Sequence, residues 1–148
     1  MTNIKIKEID EFNIDEVRKV SVNKNQESFI DTVNECFKEA ELYTQWCPVA
    51  IYCDDIVVGF AMYGAFGENP DTWIDRIMID YKYQNRGFGK CAMKELIKIV
   101  TKRYEVHTVY LSFVKDNNIA RNLYENLGFK FTGEYDPEGE LIYKYDLI

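Results

Sequence analysis

One histidine and three prolines occur among the 148 residues. A lone His107 gives a Ser-His-Asp triad or a histidine-based metal site little to stand on. In Val106-His107-Thr108-Val109-Tyr110-Leu111 it reads as a packed or partly exposed strand residue. Cys36, Cys47, Cys53 and Cys91 form neither a CxxC pair nor a zinc-ligand spacing, so free thiols and no metal are expected. The apolar runs fall far short of the about 20 residues that a membrane span needs. Met1-Thr2-Asn3-Ile4-Lys5 lacks a signal-peptide apolar stretch, so a soluble, cytoplasmic protein with no membrane partner is expected. Positive charge is also scarce: 18 Lys and Arg against 25 Asp and Glu leave a net charge of −7. That balance disfavours a nucleic-acid or anionic-membrane partner and suits a cationic small molecule.

What is abundant is material for a core. Hydrophobic residues make up 47% and aromatic residues 15%, and the length suits one domain spanning 1–148. Alternation at Ile4 and Ile6 predicts an opening strand, and Asn13 can cap a helix from about 14 to 22. Phe29, Ile30, Val33, Phe37, Ala40 and Leu42 predict a second helix from about 26 to 43, ended by Pro48. Residues 49–53 and 56–63 read as strands around Asp54-Asp55, 64–71 as a loop, and 72–80 as a third long strand. A helix over 88–103, a strand over 107–114, a helix over 117–127 and strands at 129–135 and 140–147 complete the chain. The strand–turn–helix–strand unit at 72–113 requires a parallel pair, and the hairpins around it antiparallel ones. An α/β (α+β) fold with a mixed sheet covered by helices follows.

The turn Gln84-Asn85-Arg86-Gly87-Phe88-Gly89-Lys90 joins a strand to a helix. Two glycines let the backbone bend and approach a ligand, and a helix N-terminus offers unpaired N–H groups that bind phosphate. A Walker loop needs Gly at 84 and Ser or Thr at 91, where Gln84 and Cys91 stand. A dinucleotide fingerprint needs a third Gly where Ala92 stands, and no convincing acidic residue follows about 20 positions on. By itself the turn could equally serve packing.

Gln84-x-x-Gly87-x-Gly89 after Ile77-Met78-Ile79 resembles the pyrophosphate loop of the GNAT N-acetyltransferases. Asn117-x-x-Ala120-x-x-Leu123-Tyr124-x-x-x-Gly128-Phe129, also following a strand, resembles that family's next motif. Gly59-Phe60-Ala61-Met62-Tyr63, Trp73-Ile74-Asp75-Arg76 and Arg86-Gly87-Phe88-Gly89 look like the spermine/spermidine acetyltransferases within it. Asn25-Gln26-Glu27-Ser28-Phe29-Ile30 is similar to their small bacterial members.

The resemblance implies a GNAT fold: a mostly antiparallel, twisted sheet of six to seven strands, about four helices, and a splayed strand pair that forms an acetyl-CoA slot. It implies acetyl-CoA as co-substrate, bound by the backbone of Ile77, Met78 and Ile79, the segment Gln84, Asn85, Arg86, Gly87, Phe88, Gly89 and Lys90, and by Ala120 and Tyr124. Asn117 would bond the cofactor or cap its helix. Tyr124 matches the family tyrosine that protonates the departing thiolate, and by itself would read as a helix tyrosine covering the core. Asp75 stands where polyamine acetyltransferases carry an acidic residue, here Asp in place of the expected Glu, as base (through water) or amine ligand; it could instead pair with Arg76 or Lys82 on the surface. Family members commonly pair through C-terminal strands, so a homodimer is expected. Glu27, Asp31, Glu35 and Glu39 recur at i, i+4, about 6 Å apart along a helix. That acidic stripe is either a solvated face or, for Glu27, Asp31 and Glu35 together with Trp73, a seat for an extended polycation; Glu39 is expected to face solvent. The acceptor could instead be another amine, or the chain could bind its ligands without turnover.

Overall fold

The computed structural model describes residues 3–21, 32–66 and 71–147. Seven strands form one sheet: β1 Ile4–Glu8, β2 Cys47–Cys53, β3 Ile56–Phe66, β4 Asp71–Ile79, β5 Thr108–Phe113, β6 Lys130–Tyr135 and β7 Leu141–Asp146, in spatial order β1-β2-β3-β4-β5-β7-β6. Every neighbouring pair is antiparallel except β4 with β5. That parallel pair is bridged by α3, Phe88–Tyr104, as the strand–helix–strand order requires.

Period decides which face each helix covers. Ala92, Met93, Leu96, Ile97 and Val100 form one buried stripe on α3, packed with α4 (Asn118–Leu127) against Val49, Ile51, Ala61, Tyr63 and Ile74. On the other face α1 (Ile14–Arg18) and α2 (Val33–Leu42) lay Val17, Val33 and Cys36 over Ala50, Phe60, Met62 and Met78. Each fully buried Leu, Met or Phe contributes about 2 kcal/mol of transfer free energy. No helix among the described residues is long and apolar enough to cross a membrane.

Three expectations change. The second helix begins at Val33, because Thr32 adopts extended backbone and closes a capping box with Glu35. The 26–31 part of that expectation lies outside the described residues. Glu27 and Asp31 of the expected acidic stripe lie there too, and Glu35 and Glu39 are its members on α2. Asn13 ties Glu8 to Asp10 through its amide and makes no side-chain cap to α1, which is one turn shorter than expected. Pro48 lies inside β2, one residue beyond the last pairing with β1, a strand-end position where proline is tolerated.

Two irregularities mark β4. Arg76 pairs with Met62 and Ile74 with Tyr63, so Asp75 is an extra residue, a β-bulge. The bulge shifts the phase of the strand: Ile74 packs on the α3 face, and so do Ile77 and Ile79, three and five residues later. In addition, β4 and β5 share one registered pair, Trp73 with Tyr110. Their rings stack with centroids 5.5 Å apart and planes inclined by 31°.

Close pairing of β3 with β4 depends on Gly59. A Cβ there would lie 2.3 Å from the Met78 carbonyl oxygen. Gly59→Ala is expected to lower the unfolding free energy by about 1–3 kcal/mol through backbone displacement, read as a lower urea midpoint.

Candidate active site

A cleft of about 530 Å³ opens where β4 leaves β5. Asp80 N–H donates to the Val58 carbonyl at 2.8 Å, towards β3. Alternation then turns the backbone groups of Ile79 and Ile77 towards the β5 side, where no ladder continues. Met78 lines the cleft too, although its side chain packs beside Phe60 on the opposite face.

At one end of the cleft the chain leaves β4 through a 3-10 turn, Tyr81–Tyr83, capped by the buried Asp80 carboxylate. Asp80 accepts from Lys82 N at 3.0 Å and from Ser21 N at 3.3 Å. Gln84 Nε2 donates to the Ile79 carbonyl at 2.9 Å and so ties the loop to the strand end. Asn85 (φ 65°) and Gly87 (φ 80°) are left-handed, and this turns the chain into α3. Gly87 is the α3 N-cap and no side chain caps that helix, so the N–H groups of Phe88, Gly89 and Lys90 have no intrahelical acceptor. They sit at the positive end of a 17-residue helix. A Cβ at Gly89 would meet Ile79 and Leu123 at an ordinary 3.7 Å, so this glycine is not required by the backbone and leaves the mouth of the amide cluster open.

The sequence-predicted residues Gln84, Asn85, Gly87, Phe88 and Gly89 all line the cleft. Arg86 and Lys90 do not; the Arg86 guanidinium lies over the Tyr83 ring, 5.7 Å from its centroid. This end of the cleft therefore presents backbone amides rather than cationic side chains. Asn117 caps α4, its side-chain oxygen accepting from Ala120 N at 3.2 Å, and both residues line the cleft. Tyr124 projects from α4 between Phe113 and Phe129, with ring centroids at 5.5 and 5.8 Å. Burial pushes its phenol above the ordinary range, so it holds its proton.

The other end is acidic. Asp75, Glu35, Glu138 and Glu140 all line it. Burial, opposed by Arg76 and reinforced by Glu39 and Glu140, pushes the Asp75 carboxyl up to about 6. Glu140 accepts from Ser112 Oγ at 3.1 Å, and its carboxyl is also raised, by burial first and then by Asp136. Glu35 lies here while its carboxylate accepts from Thr32 N at 3.1 Å. Glu39, expected to face solvent, instead stands 3.8 Å from Arg76, two-thirds buried. Trp73 does not line the cleft; it lies against Tyr110 at the strand junction. Glu27 and Asp31 lie outside the described residues. Sequence reasoning missed Glu138, Glu140 and Ser112, and the signal for them was weak: an acidic hairpin, Asp136-Pro137-Glu138-Gly139-Glu140, far along the chain from Asp75.

A slot with unpaired strand backbone, an uncapped helix start at one end and carboxylates at the other can seat an anionic, amide-bearing arm facing a cation. Comparison with known proteins agrees. The acetyltransferase (GNAT) family matches residues 13–129. The chain is 36% identical to the spermine/spermidine N(1)-acetyltransferase of Bacillus subtilis (strain 168), over 95% of this chain and 96% of that one. A Methanocaldococcus jannaschii domain shares the fold with a TM-score of 0.79 at 18% identity, over 99% of this chain and all of that one. The spermidine N-acetyltransferase of Vibrio cholerae, in complex with CoA and spermine, does so at 0.74 and 14%, over 95% and 92%. Sequence, slot and fold together make this chain a member of the GNAT acetyltransferase family, an N-acetyltransferase that uses acetyl-CoA.

Proposed function

We propose that the acceptor is a polyamine of the spermine/spermidine kind and that the amine attacks the thioester directly. The observation that carries this reading is the continuity of one cleft from the uncapped amides of α3 to the carboxylates Asp75, Glu35, Glu138 and Glu140. It is supported by the 36% identity to a spermine/spermidine N(1)-acetyltransferase. Amides of Phe88, Gly89 and Lys90 hold the diphosphate, and the backbone of Ile77 pairs with the pantetheine arm as an added strand would. Acetyl-CoA supplies the acetyl group as a thioester.

The chain's own residues move the protons. An ammonium cannot attack, so Asp75 takes its proton, through water, and the nitrogen lone pair forms the new C–N bond. As the C–S bond breaks, Tyr124, protonated in this site, gives its proton to the departing sulfur, and the second N–H proton of the adduct passes through water to the phenolate, which restores the tyrosine. Glu35, Glu138 and Glu140 hold the remaining positive charges of the acceptor. The expected pairing of two copies has support in the edge strand β6, where Phe131 and Tyr135 are exposed.

Release of free coenzyme A across a panel of spermine, spermidine, diamines, aminoglycosides and amino acids tests the acceptor. Polyamines are expected to give the highest kcat/KM, and preference for a singly charged amine would reject this reading. Tyr124→Phe should lower kcat roughly 10²-fold with little change in the KM for acetyl-CoA; retention of kcat removes the tyrosine from the chemistry.

Asp75 makes two predictions with opposite signs. As a base it must be ionised, so kcat/KM should fall below about pH 6, and Asp75→Asn should abolish most activity. Its folded value of about 6 lies above the ordinary 3.8, so between those values the folded chain binds more protons than the unfolded one. Stability from this group is therefore present at low pH and lost as pH rises through about 6, by about 2–3 kcal/mol in all. The inactive Asp75→Asn should accordingly melt higher than the wild type near neutral pH and show no such gain at about pH 3.5.

A further inference from the structure

Arg76 directly follows the bulged residue. Neighbours on a regular strand point to opposite faces, and the bulge lets the Arg76 guanidinium fold back onto Asp75 instead. Arg76 Nη1 donates to the Asp75 carbonyl at 3.1 Å and also to the Asp75 carboxylate, while Nη2 lies 3.8 Å from Glu39 Oε2. All three side chains are sheltered, at 14% exposure for Asp75, 21% for Arg76 and 34% for Glu39. Among the described residues the other charged groups around Asp75 are carboxylates: Glu39 and Glu35 from α2, and Glu140 and Glu138 from the β6–β7 turn. Among the described residues lining the cleft, Arg76 is the sole Lys or Arg.

We propose that Arg76 is a positioning residue for the acceptor base: placed by the bulge, it bridges Asp75 to Glu39 and fixes both the direction and the charge of the carboxylate that meets the amine. The inference rests on Asp75 being that base. Physically, the arrangement opposes two trends. Burial and the like charges of Glu39 and Glu140 favour a proton on Asp75; a guanidinium in contact with it favours the carboxylate. The planar fork serves two carboxylates at once, which a lysine ammonium on a flexible stem does less well. Glu39 orients Arg76 and adds a like charge near Asp75; Gln at that position keeps an oxygen that can accept from Arg76 and removes only the charge.

The test is the pH profile of kcat/KM for wild type, Arg76→Met, Arg76→Lys, Glu39→Gln and Asp75→Asn, all with one polyamine so that the titration of the substrate is common to every curve. Arg76→Met is expected to move the acid limb upward from about pH 6 by about one unit or more. Arg76→Lys should move it less, and Glu39→Gln should move it down. A merely structural arginine would lower the whole curve by one factor and leave the limb in place. An unmoved limb in Arg76→Met overturns the proposal; should that variant not fold, unmoved limbs in Arg76→Lys and Glu39→Gln do so. Full activity in Asp75→Asn overturns both this role and the base on which it rests. An inactive Asp75→Asn with unmoved limbs elsewhere overturns the role of Arg76 alone.

Discussion

A single registered pair, Trp73 with Tyr110, holds β4 to β5, and the rest of the site depends on the ladder stopping there. Had pairing continued towards Ile79, the backbone groups of Ile77 and Ile79 would be spent within the sheet. The stacked rings fasten the strands at the pair, and the bulge at Asp75 bends β4 away immediately afterwards. The same bulge brings Asp75 and Arg76 together on the wall of the opening. One inserted residue thus separates the strands, exposes backbone and places a carboxylate, without a change of fold.

A chain with net charge −7 that seats an anionic co-substrate has an electrostatic problem. The proposed binding mode answers it by leaving the phosphate end to oriented peptide groups and keeping carboxylates for the far end. Peptide dipoles at the start of α3 carry no net charge and so cost no ion-pair desolvation. Arg86 and Lys90 stand outside the cleft, where they contribute a long-range, salt-screened field rather than contacts. The acidic end is held by three separate elements, α2, β4 and the β6–β7 turn, so its geometry depends on the packing of both faces of the sheet.

The parts of this architecture that were legible in the sequence are those governed by a local rule. Alternation marked the strands, the apolar stripe of Ala92 to Val100 marked α3, and Gly87 announced a left-handed turn at a helix start. The start of α2 was also legible in Thr32-x-x-Glu35, but the apolar residues Phe29 and Ile30 extend the helical period past it and obscured the cap. The bulge left no such mark. Trp73-Ile74-Asp75-Arg76-Ile77 reads as ordinary alternation, and only pairing with β3 reveals the extra residue. Trp73 looked like a cation-stacking residue because its type suits that task, whereas tertiary pairing gives its face to Tyr110. Glu138 and Glu140 reach Asp75 only through the β5–β7 ladder, a long-range relation that no short window contains.

The link from Gln84 to the Ile79 carbonyl has a geometric consequence for any guest in the slot. It occupies the Ile79 carbonyl, the last slot-facing acceptor of β4, from within the chain, so a guest N–H meets its first slot-facing acceptor at Ile77. The distance from the α3 amides to the first free rung is thereby set by protein atoms alone. In the proposed binding mode that fixed offset would act as a ruler for the arm and set how deep the sulfur travels towards Tyr124.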